Sequence, residues 1–140
     1  MVRRLLLFGL LATVPGQALA AGLLVIANMS VETGGSLSLR QIEAIYLLRV
    51  TTWPDGSQIV PVNREVESEI RDHFTDAVLK QDNASLAAYW NAMHFQGKLP
   101  PLVQESEAAM LAFVQNVPGA VGYVSASAET RGVRILARVP

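Results

Sequence analysis

The chain has 140 residues, 11 basic and 12 acidic, for a net charge of −1, and it contains no cysteine. No stretch clusters lysine with arginine, which argues against a nucleic-acid partner. Without cysteine the chain can be neither disulfide-stapled nor anchored through a lipidated cysteine, so its core must hold it together.

The first twenty residues read as an export signal. Arg3 and Arg4 form a positive start, Leu5–Val14 is apolar, Pro15-Gly16 breaks the run, and Ala18-Leu19-Ala20 supplies small residues for cleavage. The apolar run falls short of the ~20 residues a membrane span needs; an uncleaved anchor is the alternative. The expected organisation is a signal peptide at 1–20 and one domain at 21–140, exported through the cleavable signal to a periplasm, with secretion to the medium as the alternative.

Leu23–Ala27 is a short continuous apolar run, the mark of a buried strand. Gly34-Gly35 and small polar residues make Asn28–Ser36 a loop. Ser38 with Gln41 has the form of a capping box, opening a helix that puts Leu39, Ile42, Ile45 and Tyr46 on one face. Trp53-Pro54-Asp55-Gly56 is a turn. Gln58–Val62 reads as a strand, with Pro61 placing it at an edge or a strand end.

From Val66, the spacing of Ile70, Phe74, Ala77 and Val78 is helical. Asp82-Asn83 caps a third helix carrying Leu86, Tyr89, Trp90 and Met93, and Lys98–Pro101 is a loop. Ser106 caps a fourth helix with Met110, Phe113, Val114 and Val117 inward. Strands follow at Ala120–Val124 and Val133–Leu136. Gly122 inside the first of them suggests close approach by a ligand or another backbone. This order predicts a small α/β domain with a mainly parallel sheet, helices on both faces, and a ligand site beyond the carboxyl ends of the strands.

No catalytic motif is present, and nothing calls for a metal or a cofactor. His73 and His94 lack the spacing of a zinc pair and read as a solvated helix residue and a helix-end residue. Glu65, Glu67 and Glu69 could suggest metal or acid–base chemistry, but acids at a helix start also suit its positive end. Arg64, just past a strand, and Ser68, at a helix start, offer donors for an anion. The competing reading pairs Arg64 with Glu65 or Glu67 and leaves Ser68 as a plain helix-start residue.

The pieces Val25–Asn28, Leu37–Ile42 with Ile45-Tyr46, Val50–Gly56, Ile59–Arg64, the helix through Phe74, Ala88-Tyr89-Trp90 and Pro118–Val124 run in order along nearly all of 21–140. In this pattern the chain resembles the phosphate-binding-protein-like family, the substrate-binding components of phosphate ABC transporters and their small single-lobe relatives. The resemblance implies one lobe of a periplasmic-binding-protein-like fold (type 2) and a non-enzymatic protein that binds phosphate or another oxyanion for transport or sensing. It implies ligand contacts at Ser30, Arg64 and Ser68. Full members have two lobes with the anion between them, and carry glycine and threonine where this chain has Glu69 and Ile70. The alternative implied is a ligand-free interaction or sensory module that keeps the fold. Expected partners are a small oxyanion, a membrane transporter or sensor protein, and a second copy forming a homodimer.

Overall fold

The computed structural model describes residues 22–140. The expected signal peptide lies outside the described residues. Five strands form one open sheet: β1 (Leu23–Asn28), β2 (Val60–Arg64), β3 (Leu102–Gln104), β4 (Ala120–Ser125) and β5 (Val133–Val139). Their spatial order is β3-β2-β4-β1-β5. Strand β2 pairs in parallel with β3 and β4. Strand β1 is antiparallel to both β4 and β5. Four of the five strands therefore share one direction, as expected, and the reversed β1 brings two antiparallel pairings into the sheet. The apolar run that marked β1 as buried carries no information about its direction.

Every residue of β1 is buried, because both faces of the sheet are covered. One face carries α1 (Leu39–Tyr46), α2 (Glu69–Phe74) with the π-helical turn Thr75–Leu79 that continues it, and α3 (Asn83–Phe95). Leu23, Val25, Ala27, Val121 and Tyr123 point to that side and pack with Ile42, Ile45, Tyr46, Phe74 and Val78. The other face carries α4 (Glu107–Asn116), whose Met110 and Val114 meet Leu24, Ile26, Val62 and Val124. This in–out alternation along β1 and β4 is the period-two geometry of a strand.

The helix starts follow the side chains that cap them. Ser38 and Gln41 form a reciprocal capping box on α1. Asp82 caps α3 through the Ser85 amide, and Ser106 caps α4 through the Ala109 amide. The helix expected from Val66 begins instead at Glu69, with Ser68 as its cap. Residues 65–67 are held in a turn closed by the Ser68 amide on the Glu65 carbonyl.

Candidate functional site

The charged corner of the domain forms where β2 ends and α2 begins. Arg64 is the last residue of β2, and its backbone N–H donates to the Tyr123 hydroxyl at 3.1 Å. Its side chain is only 12 % exposed, and the guanidinium forks onto Glu65, Nε to Oε2 at 2.9 Å and Nη2 to Oε1 at 3.0 Å. A bidentate arginine–carboxylate pair has the same geometry as arginine on an external oxyanion. That hydrogen bonding by Arg64 is the leading cause that holds the Glu65 carboxyl below its usual pKa.

Ser68 is buried, and its Oγ accepts the Arg71 amide at 3.4 Å as the cap of α2. The hydroxyl keeps its own hydrogen to donate. Arg71 turns back and donates from Nη1 to the Arg64 carbonyl at 2.7 Å. Arg64, Ser68 and Arg71 are thus tied together where β2 passes into α2, through the Arg64 carbonyl and the Arg71 amide. Arg71 carries no sequence signal of its role, because the bond it makes spans seven residues across a turn.

An aromatic stack supports the corner from below. Phe74 lies parallel to Tyr123 with ring centroids 4.1 Å apart, and Tyr46 tilts against Phe74 at 4.6 Å. The Tyr123 hydroxyl accepts from Arg64 and donates to the Asn63 side chain. Tyr46 donates to the Val62 carbonyl at 2.8 Å. These buried hydroxyls pin β2 to β4 and fix where Arg64 leaves the sheet. Burial pushes the Tyr123 phenol up to about 12 and the Tyr46 phenol well above its ordinary value.

Ser30 does not join this group. Its Oγ accepts the Gly119 amide at 3.0 Å, just before β4 begins. Since Val60 aligns with Ala120 in the parallel ladder, Arg64 lies about five residues further along the sheet, roughly 16 Å away at strand spacing. The expectation of Ser30, Arg64 and Ser68 around one ligand is corrected by the direction of β1, whose reversal carries its following loop to the opposite end. There, Asn28 is buried with its amide nitrogen on the Val114 and Gln115 carbonyls at 2.8 and 3.1 Å. Its Oδ1 accepts the Ser30 amide at 2.9 Å. Trp53 closes the same end by donating from Nε1 to the Gly119 carbonyl at 2.9 Å.

The glycines have structural reasons. A Cβ on Gly122 would stand 2.4 Å from the Met110 sulfur, so the close approach in β4 comes from helix α4 rather than from a ligand or another backbone. His73 sits with Nε2 2.6 Å from the Pro140 carbonyl, and His94 is exposed at the last turn of α3. Glu67 and Glu69 are exposed, and among the described residues no group of acidic, histidine or cysteine side chains could hold a metal ion. Open clefts of about 710 and 620 Å³ lie by Thr33–Ser36 and by Trp53 with Arg40, and neither includes Arg64 or Ser68.

No family model matches the chain. No curated protein matches it in sequence. Solved structures do match its fold. A Clostridium perfringens protein, assigned as a phosphate ABC transporter substrate-binding protein and crystallised with bound phosphate, aligns over 83 % of this chain and 44 % of its own, at 24 % identity and TM-score 0.68. An ABC-type phosphate transport receptor from Vibrio cholerae aligns over 83 % and 45 %, at 21 % identity and TM-score 0.66. PstS from Borrelia burgdorferi aligns over 83 % and 47 %, at 14 % identity and TM-score 0.63. The chain therefore has the α/β fold of one lobe of these proteins, and it spans less than half the length of each. Among the described residues, no helix is long and apolar enough to cross a membrane.

Proposed function

We propose that the chain is a solute-binding-like protein working outside the cytoplasm, which takes a small oxyanion such as phosphate at the Arg64–Ser68–Arg71 corner in service of transport or sensing. One observation carries this reading: Arg64, Ser68 and Arg71 are hydrogen-bonded into one turn at the end of β2, with the Arg64 fork already holding a carboxylate, in a fold shared with a lobe of a phosphate-bound protein. Binding without catalysis fits the neighbours, which are named as substrate-binding proteins or receptors. The export signal read at residues 1–20 supports a periplasmic place of action.

Glu65 sets the terms of that binding. An incoming anion must displace a carboxylate already seated in the Arg64 fork, while Glu67 and Glu69 stand on the same loop and helix start. Like charges near a site disfavour an anion there, so a single lobe binds weakly. Calorimetric titration of the purified protein with inorganic phosphate tests the reading. Heat that saturates at millimolar ligand and disappears in Arg64→Gln supports it; no heat up to that range sinks it.

The same Glu65 pair favours a second reading. A carboxylate fixed where an anion would sit can serve as a built-in substitute that keeps the corner folded without ligand. The protein then acts as an interaction or sensory module, recognised by a membrane transporter or sensor. Retention of such a membrane protein by the immobilised chain, unaffected by phosphate, would distinguish this reading from the first.

A further inference from the structure

We propose that the cleft between α1 and the loop around Trp53 binds a small carboxylic acid with an apolar body, held through Arg40. The cleft measures about 620 Å³, inside the range of about 300–1,000 Å³ that small-molecule sites occupy. Arg40, Gln41, Ala44 and Ile45 of α1 form one wall. They are spaced three and four residues apart, which puts them on one side of the helix. Val50, Trp53 and Ile59 add apolar surface from the chain that follows.

Hydrogen bonds within the protein give the cleft its shape without a ligand. The Trp53 amide donates to the Ser57 carbonyl at 2.8 Å, and its indole Nε1 donates to the Gly119 carbonyl at 2.9 Å. Within the same turn, Asp55 accepts the Ser57 amide at 2.9 Å. The Ile59 amide then closes the loop onto the Thr51 carbonyl at 3.0 Å. On the opposite wall, the Ser38–Gln41 capping box fixes the start of α1. A site formed before binding loses less free energy to ordering when a ligand arrives.

Charge selects the ligand. Arg40 is the sole charged residue lining the cleft, it is exposed, and the ion pairs among the described residues leave it out. Glu43, the acid three positions along the same helix, is engaged by Arg49 at 3.5 Å. The first turn of α1 holds no acid. Gln41 accepts the Ser38 amide through Oε1 at 2.8 Å, which leaves its amide hydrogens to donate. One guanidinium matches a planar monoanion such as a carboxylate, and the apolar lining favours a ligand body that leaves water. The other open cleft, by Thr33–Ser36, lacks this asymmetry, because Glu32 lines it together with Arg134. This inference stands apart from the anion reading, since none of these residues belongs to the Arg64 corner.

Titration of the purified protein with phenylacetate tests the proposal, read from the indole N–H signals of its two tryptophans in proton–nitrogen correlation spectra. The expected result is a Trp53 signal that shifts and saturates at millimolar phenylacetate, while Trp90, which does not line the cleft, stays in place. Arg40→Gln should weaken binding about ten-fold with the melting temperature little changed, and Arg40→Lys should weaken it less. The neutral amide, phenylacetamide, should bind the native protein as weakly as phenylacetate binds Arg40→Gln. A Trp53 signal that stays fixed into the tens of millimolar would overturn the proposal. So would equal affinity for phenylacetate and phenylacetamide, or a response lost in Arg64→Gln and kept in Arg40→Gln. That last comparison also keeps the two sites separable.

Discussion

The two ends of the sheet use polar groups in opposite ways. At the end where β4 begins, Asn28, Ser30 and Trp53 spend their polar atoms on backbone: the Val114 and Gln115 carbonyls, the Ser30 and Gly119 amides, and the Gly119 carbonyl. Arg134 joins them by donating from Nε to the Met29 carbonyl at 3.1 Å, again to backbone. At the end where β2 stops, Arg64, Glu65 and Arg71 bring formal charges together beside a buried hydroxyl. Hydrogen bonds that satisfy buried backbone fix a chain path, whereas exchangeable ion pairs near solvent can be re-partnered. The first end is a clasp, and the second is the place where a ligand could compete.

That contrast can be broken most sharply at the clasp. Gly119 has φ +77°, and a Cβ there would lie 2.2 Å from the Gln58 carbonyl oxygen. Replacing it with alanine forces the backbone apart and should cost about 3 kcal/mol or more of unfolding free energy in denaturant titration. Asn28→Ala leaves the Val114 carbonyl unpaired in a buried setting and should cost about 2 kcal/mol by the same method. Equal effects from Gly119→Ala and Glu65→Gln would erase the distinction between the ends.

The aromatic stack between them should show itself in alkali. The Tyr123 phenol titrates at about 12 in the folded protein, against 10.0 ordinarily, because burial disfavours its anion. A raised folded pKa means that stability is complete below pH 10 and is lost as the pH climbs toward 12. This loss amounts to about 2 kcal/mol. Absorbance of tyrosinate against pH, followed beside the unfolding midpoint, checks it. A full tyrosine titration near pH 10 with the fold intact would refute the placement of Tyr123.

Smaller effects belong to the charged end. Ser68→Ala removes the α2 cap and should cost about 1 kcal/mol, and it also removes one donor from the proposed anion corner. Glu65→Gln should change stability least of all, while freeing the Arg64 fork and tightening phosphate binding several-fold. Acidification should act in the same direction. The Glu65 carboxyl lies below its ordinary 4.5, so its pair with Arg64 is kept above that range and is lost as the pH falls through the depressed value. A pH series of phosphate titrations reads this directly.

Local chemistry made much of the fold legible. The Ser38–Gln41 box, the Asp82 and Ser106 caps and the apolar run of β1 are short-range signals, and each sits where the sequence places it. Three features are not local. The direction of β1 depends on how its apolar faces meet β4 and β5. Strand β3 has only three residues, too few for a period to show. The tightness at Gly122 comes from Met110, twelve positions away in sequence. The site was half legible for the same reason. Arg64 and Ser68 lie close in sequence, and pairing of Arg64 with Glu65 was one of two readings open to it. Ser30 was misplaced by the reversed strand, and Arg71 and Tyr123 reach the corner only through folding.

The measurement closest to the central claim is a calorimetric phosphate titration of three proteins side by side: the native sequence, Glu65→Gln and Arg64→Gln. The account predicts weak saturable binding in the first, tighter binding in the second and none in the third. Equal heats in all three, or silence in both the native protein and Glu65→Gln, would contradict it.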